Sequence, residues 1–584
     1  MARRYASVAW IGGLAVPVAV AAAMMGPGTP PEPADLVLRH GKVVTVDDAR
    51  PQVQAVAVRG DVIVAVGSDE EIALHVGPRT RIIDLAGQLV IPGFIEGHGH
   101  FMGVGQARMT LNLMTVKTWD EVVAMVAAAV ARTKPGDWIV GRGWHQEKWD
   151  RAPSPSVEGF PTHEAVSRVS PDNPVLLTHA SGHASFANAK AMALAGITRS
   201  TPDPPGGEIL KDPQGDPIGI FRERASGLIC RALDDARSRR TPAEEEAEAW
   251  RMLDLAVEES LSKGVTSFQD AGVSFETVDF YKRAVDKGRL GVRLYVMVRE
   301  RPERLRDKLD AYRIVNMGDR RLTVRAIKLS LDGALGPRGA WLLEPYADLP
   351  ASSGLNTTPV DVARETAALA IEHGYQYCVH AIGDRANRET LDIFEQAFKA
   401  HPDQKGLRWR VEHAQHLSAA DIPRFGQLGV IAAMQGVHCT SDAPFVLARL
   451  GERRAAEGAY VWQRLLKSGA VVTNGTDAPV EDVDPIASFF ASVSRRLKDG
   501  SVFYGDQRMS RAETLRSYTL GNAYAAFEED IKGSITPGKL ADFTVLSKDI
   551  MSVPEAEIPT ARVVHTIVGG KVAWSAVAAG HERP

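Results

Sequence analysis

The sequence predicts an α/β protein: a (β/α)8 barrel of the TIM type, with a small β-sandwich domain built from both ends of the mature chain and an insertion after the first barrel strand. Three observations lead there. Eight short apolar runs follow one another through the middle of the chain: "GFIEGHGH", "GVTSFQDAG", "RLYVMV", "RAIKLSLDG", "YQYCVHAIG", "RWRVEHAQ", "GVIAAMQ" and "VVTNGTDAP". Helical patterns lie between most of them, and eight strands alternating with helices imply a closed parallel barrel. Val/Ile-rich runs broken by Gly and Asp stand at both ends of the chain and read as a small β domain.

In chain order, residues 1–33 combine a basic start, an apolar stretch rich in Ala and Val, and a Pro/Gly-rich linker, the layout of a secretory signal peptide. An exported protein, periplasmic or secreted, is expected, its mature part beginning after the run of Ala21 to Ala23. Arg3 and Arg4 also admit a twin-arginine route, and an uncleaved N-terminal anchor stays open. No later segment is long and apolar enough to cross a bilayer. Residues 34–92 hold "ADLVLRHGKVVTV", "AVAVRGDVIVAVG" and "RIIDLAGQLVIP", and residues 526–584 hold "KLADFTVLS" and "VVHTIVGGKVAW"; together these predict one sandwich. The barrel takes residues 93–525. Within it "PAEEEAEAWRMLDLAVEESLSKG" and "TPVDVARETAALAIEHG" read as helices, the second opened by a Thr-Pro cap and closed by Gly374. The first connection, about 101–240, is far longer than a normal crossover and should form a subdomain over the barrel mouth.

Composition narrows the function. With 584 residues, 45% hydrophobic and 24% charged, the chain is long enough for a large core and more than one domain. The formal net charge of −4 comes with no block of like charges, so nucleic acid is not an expected partner. Cys230, Cys378 and Cys439 lie far apart without C-x-x-C spacing, which suggests neither a disulfide framework nor a thiolate cluster. A metal ion here would be held by His, Asp, Glu or Lys.

Catalytic groups of such a barrel gather at the C-terminal ends of its strands. His98 and His100 share a face at the end of the first run, and neutral imidazoles converging on one point suit a metal ion. Lys328 ends the fourth run, His380 the fifth, His413 the sixth and Asp477 the eighth. Each alone reads as a core residue or an ion pair. Six titratable groups in one barrel mouth would be costly without a compensating cation, so one or two divalent ions are expected.

"PGFIEGHGHF", "IKLSLDGALGPRGA", "VHAIGDRA", "VEHAQ", "TDAPV" and "GSITPGKLADFTVL", in this order, resemble the amidohydrolase superfamily and its YtcJ-like branch, relatives of N-substituted formamide deformylase, over about residues 34–574. The resemblance implies a metal-dependent barrel with a terminal β-sandwich that hydrolyses non-peptide C–N bonds of amide type. Its ligand pattern carries onto His98, His100, Lys328, His380, His413 and Asp477. Glu96 and Gly97 stand where the family often has Asp and Ser, and Gly436 replaces a usual proline; the metal set is left whole.

Lys328 reads in two ways. It is a barrel lysine paired to a carboxylate such as Asp332, beside a single metal; or its amine, with a pKa lowered by burial and nearby cations, is N6-carboxylated and bridges two ions; zinc is the expected metal in both readings. Water on zinc has a pKa lowered from 15.7 to about 7, so attack by metal-bound hydroxide is the expected chemistry, with Asp477 as proton shuttle. Asp477 could instead cap the turn before Pro479. His183, Asn188, Trp144, Arg385 and His438 are candidates for lining the pocket of a small amide-type substrate. His183 and Asn188 could equally tie the insertion down, Asp384 and Arg385 could pair with each other, and Trp144, His145 and Trp149 form either an aromatic wall or plain packing. Competing readings are an isomerase or decarboxylase of the same superfamily and a periplasmic metal-containing binding protein. A homo-oligomer is left open.

Overall fold

The computed structural model describes residues 31–576, apart from Ser181 and His183. The expected signal peptide lies almost wholly outside the described residues, as does His183. Among the described residues, no helix is long and apolar enough to cross a membrane.

Eight parallel strands form the barrel: β1 (Phe94–Gly99), β2 (Val265–Val273), β3 (Arg293–Val298), β4 (Leu322–Ser330), β5 (Gln376–Ala381), β6 (Arg410–His413), β7 (Ile431–Gln435) and β8 (Val472–Gly475). Each pairs with the next in chain order, from β1 beside β2 to β7 beside β8. All eight come from the apolar runs read in the sequence. Helix Pro242–Ser262, which feeds β2, starts at Thr241 with a reciprocal capping box to Glu244. Gly105 on helix Phe101–Met109 faces Met252 O so closely that any Cβ would collide with it. Helix Val360–Glu372 differs from expectation at its start: Thr358 does not cap it but donates its hydroxyl to Ser330 O at 2.6 Å, tying the helix entry to the end of β4.

Closure between β1 and β8 is made by side chains and strand-end amides. Asp477 N donates to His98 O and His100 N to Ala478 O, both at 2.7 Å. Asn522 Nδ2 bridges Ile95 O (2.7 Å) and Asn474 O (2.8 Å). Glu96 accepts from Thr476 N (2.7 Å) and from the Thr476 hydroxyl (3.0 Å). The seam is tight enough that a Cβ on Gly97 would run into Asn474 O and Asn522 Oδ1, which explains glycine there. Gly436 has a similar reason. It donates its N–H to Asn474 Oδ1 at 2.8 Å, a bond no proline could make.

The terminal segments form two packed sheets. One contains Leu36–Arg39, Ala55–Arg59, Val62–Gly67 and Arg81–Asp84. The other joins both ends of the chain: Leu89–Pro92 pairs antiparallel with Phe543–Leu546 and parallel with Lys42–Val44. Leu38, Val56, Val90, Phe543 and Ile567 fill the space between them. A buried ion pair, Arg293 to Asp542 at 2.7 Å, links the first residue of β3 to this domain.

The connection after β1 folds around a six-stranded sheet, in the order Gly207–Lys211, Pro217–Glu223, Ala184–Ala187, Val175–His179, Ile139–Trp144, Leu111–Asn112. Its own core holds Trp119, Trp149 and Phe186. Arg142 reaches from it to the barrel and donates to Pro479 O.

Asn522→Ala removes the two Nδ2 hydrogen bonds that cross the β1–β8 seam, to Ile95 O and Asn474 O. Stability should fall by about 2–5 kcal/mol, read as a lower unfolding midpoint in denaturant; an unchanged midpoint would show that the seam does not depend on this amide.

Candidate metal centre

The strand ends converge on a cavity of about 1250 Å³ between the barrel and the insertion, whose lining includes His98, His100, Lys328, His380, His413 and Asp477. All six candidates from the strand ends therefore share one site.

His98 is fixed from inside the barrel. Its Nδ1 donates to Glu412 Oε2, and Arg410 lies across the same carboxylate with Nε 2.6 Å from Oε1. Arg410 also donates to Gly97 O (2.8 Å) and to Gln269, so one buried guanidinium joins β1, β2 and β6. Burial would push the Glu412 carboxyl up, but Arg410 and His98 outweigh it and hold it well below the usual range. An ionised Glu412 requires the His98 proton on Nδ1, which leaves the lone pair on Nε2. That nitrogen lies 3.3 Å from Lys328 Nζ and 3.6 Å from Asp477 Oδ1.

His413 is oriented the same way. Its Nδ1 meets Gln435 Oε1 at 2.9 Å, while Gln435 Nε2 is engaged with Ala433 O, so Nδ1 donates and Nε2 is free to bind. The His413 ring packs against His98 and His380, with centroids 4.6 and 4.3 Å apart. His100 Nε2 lies 3.3 Å from Asp477 Oδ1. His380 Nε2 is 3.5 Å from Asp332 Oδ1. Two of these residues have left-handed backbone, His413 at φ 75° and Asp477 at φ 58°. Such strain is held only where the surroundings enforce it. For Asp477 the enforcement is visible in Glu96 gripping Thr476 and Arg142 gripping Pro479 O.

The electrostatics favour neutral imidazoles around an anion. Burial, with Lys328 next, lowers His98 to about 4, and burial likewise holds His380 and His413 well below the ordinary range. Burial raises Asp477, but contact with His100 and the rings of His98 and His413 outweigh it, and the carboxyl stays well below its usual range. Burial, with Arg299 adding to it, lowers Lys328 to about 8.

These residues fit a divalent cation. His98 Nε2 and Asp477 Oδ1 are both acceptors, yet they face each other across a buried gap. With His100 they form a trio whose ligand atoms lie within 4.8 Å of one another. His413, His438 and Asp477 form a second such trio, so Asp477 is common to both. Lys328 has no carboxylate partner among the described residues. The expected Asp332 pairing is not made, because Asp332 instead accepts backbone N–H groups of Ile382 (3.0 Å), Gly383 (2.8 Å) and Trp341 (2.9 Å). Asp477 does not cap its turn through its side chain. The capping carboxylate nearby in the chain is Asp484, at the start of helix Pro485–Ser494.

Three pocket assignments are corrected. Trp144 is fully buried in the core of the insertion, with Nε1 donating to Leu177 O at 2.9 Å; its neighbour His145 lines the cavity instead. Asn188 is a fastener, accepting from Val175 N and Ala191 N (both 2.9 Å) and donating to Ser170 and Asn173. Arg385 pairs with Glu389 at 2.8 Å and stacks on Trp341, away from the cavity, while Asp384 accepts from Leu343 N rather than pairing with it. His438 does line the cavity; its Nδ1 is 3.1 Å from Gln415 Nε2 and its buried Nε2 has no hydrogen-bond partner among the described residues. Glu412, Arg410 and Gln435 were not singled out from sequence, although Glu412 lies inside the "VEHAQ" run.

Residues 81–574 match the profile that defines the Amidohydrolase family. The chain belongs to that family. It is 30% identical over 547 residues to the protein named "Putative amidohydrolase YtcJ" of Bacillus subtilis (strain 168), covering 91% of this chain and 98% of the relative. It is 28% identical over 545 residues to N-substituted formamide deformylase of Arthrobacter pascens, covering 92% and 97%. The crystal structure of an uncharacterized metal-dependent hydrolase from Pyrococcus furiosus superposes with a TM-score of 0.68 at 28% identity, over 88% of this chain and all (100%) of that one. The protein is thus a hydrolase of the metal-dependent amidohydrolase superfamily, in its YtcJ-like branch.

Glu412→Gln keeps shape but weakens the hold on the His98 tautomer. Metal affinity should drop roughly 10–100-fold in a competition titration; an affinity equal to that of the unaltered protein would show that Glu412 does not orient His98.

Proposed function

We propose that this amidohydrolase hydrolyses a non-peptide amide of a small molecule, with one or two zinc-like ions held by His98, His100, His380, His413 and Asp477. The observation that carries the reading is Asp477 Oδ1 lying between the acceptor nitrogen of His98 and His100. When bound, a divalent ion supplies Lewis acidity toward a carbonyl and lowers the pKa of water. The rest is done by the chain's own groups. Asp477, ionised at rest, is placed to accept a proton from the attacking water and to return it to the departing nitrogen, so that amide and water become acid and amine. Gln415 directs the proton of His438 to Nε2, which faces the cavity as a donor for a substrate oxygen. N-substituted formamide deformylase, the relative from Arthrobacter pascens, supports formamides as the first compounds to try.

Carboxylation of Lys328 is part of the proposal. With burial lowering its pKa to about 8, the amine is partly neutral near physiological pH. It can then attack carbon dioxide, forming an N–C bond and losing one proton, and the ammonium that now faces His98 becomes an anion with two donor oxygens.

On a panel of N-substituted amides led by formamides, the metal-loaded protein should release amine. Asp477→Asn should lower turnover by roughly two or more orders of magnitude, with substrate affinity and most of the metal retained. Lys328→Ala should lose metal and activity together. Absence of amine release from every compound would overturn the amide reading, and a near-normal rate in Asp477→Asn would assign the proton transfer to another group.

A further inference from the structure

We propose that the substrate carries an anionic group, a carboxylate or its equivalent, and that Arg299 receives it. This rests on the reading that the cavity accepts an amide.

Arg299 directly follows β3, and its N–H donates to Val273 O at 2.8 Å, which fixes its backbone at the barrel mouth. Its stem runs beside that of Lys328. Both border Gly272, where a Cβ would lie 3.1 Å from Arg299 Cδ and 3.2 Å from Lys328 Cγ. Farther out, Arg299 Nη2 donates to Ser330 Oγ at 3.0 Å. The β4–β5 register pairs Lys328 with Cys378 and Ser330 with His380. The guanidinium is therefore level with His380, one inward-facing step nearer the cavity than Lys328.

A guanidinium at this position would ordinarily hold a carboxylate of the protein. Two candidates, the adjacent Glu300 and Asp332 just beyond β4, are engaged elsewhere. Glu300 accepts from Phe275 N (3.3 Å) and pairs with Arg304 (3.0 Å), and Asp332 accepts three backbone N–H groups with His380 Nε2 3.5 Å away. Among the described residues Arg299 forms no ion pair. The other arginines lining the cavity all do: Arg222 with Glu158 and Glu208, and Arg338 and Arg449 with Asp348. Of these arginines Arg299 alone has a guanidinium committed to no carboxylate, and it lines the same cavity as the metal ligands; a planar donor group of this kind suits a carboxylate in two-point contact. Leu335, Leu355 and Phe445 in the same lining offer apolar surface for the hydrocarbon part of such a molecule. A role for Arg299 as counter-ion of carboxylated Lys328 is the competing account. The Ser330 bond disfavours it, since it draws the guanidinium a layer above the amine.

The test compares para-formamidobenzoate with its uncharged partner para-formamidobenzamide on metal-loaded wild type, Arg299→Ala and Arg299→Lys, with metal content measured on each. The wild type should favour the carboxylate in kcat/KM by about 10–100-fold, the range of a charge-assisted hydrogen bond. Arg299→Ala should bring that ratio close to one, chiefly through KM, and Arg299→Lys should restore part of it. A wild type indifferent to charge, or an alanine variant in which both compounds suffer equally and metal is lost, would overturn the proposal. Calorimetric binding of the same compounds separates it from the hydrolytic reading. Tighter binding of the carboxylate that vanishes in Arg299→Ala, without cleavage of either compound, keeps the anion site and rejects amide hydrolysis. Cleavage of both at rates blind to charge does the reverse, and neither cleavage nor a binding preference rejects both.

Discussion

The site depends on a fully buried ion pair, Arg410 with Glu412, at the centre of the barrel. Removing two charges from water costs several kcal/mol per ion, and their attraction need not return it, so the pair is not there for stability alone. Its geometry shows what it provides. Arg410 is anchored to Gly97 O on β1 and to Gln269 on β2, and it keeps Glu412 ionised where His98 Nδ1 must donate to it. A charge bound on three strands thereby decides which nitrogen of one imidazole faces the cavity. Loss of either partner would leave the other buried and unpaired, at about 3–5 kcal/mol.

The same strands meet again at the barrel seam, and the two features are joined through β1. Glu96, which grips Thr476, and His98, which is held by Glu412, are two residues apart on one strand. The turn carrying Asp477 is fastened by Glu96 on one side and by Arg142 of the insertion on the other. Asp477 is consequently held in left-handed backbone, a conformation costing on the order of 1–3 kcal/mol, at the point where its carboxylate meets the two histidines of β1. The scaffold supplies rigidity and the insertion supplies cover, a division expected when chemistry stays on strands and specificity is left to the segments above them.

Much of this was legible in the sequence. Eight apolar runs became eight strands, because Val, Ile and Leu in short stretches between turn residues have few other ways to be buried in an α/β chain. His98, His100, Lys328, His380, His413 and Asp477 stood out because polar residues at the ends of such runs have nowhere to go but the barrel mouth. Glu412 did not, since alternation along β6 places it opposite His413; the left-handed φ at His413 turns both toward the site, and no residue type announces that. Local signals that pointed elsewhere were present but outweighed. Asn188 stands just before a helical run, the usual place for an N-cap, and Arg385 precedes Glu389 by four, the spacing of a surface pair. Trp144 needed the third dimension: its neighbour His145 faces the cavity while the indole closes the core of the insertion.

The claim on which the account stands is that His98, His100 and Asp477 surround a metal ion. Anomalous diffraction at the metal edge, on crystals of the protein as purified and assayed for metal content, tests it directly. The account predicts a strong peak within bonding distance of His98 Nε2, His100 Nε2 and an Asp477 carboxylate oxygen, with Glu412 still bound to His98 Nδ1. A fully occupied metal elsewhere in the chain, with these three groups satisfied by protons and water, would contradict it.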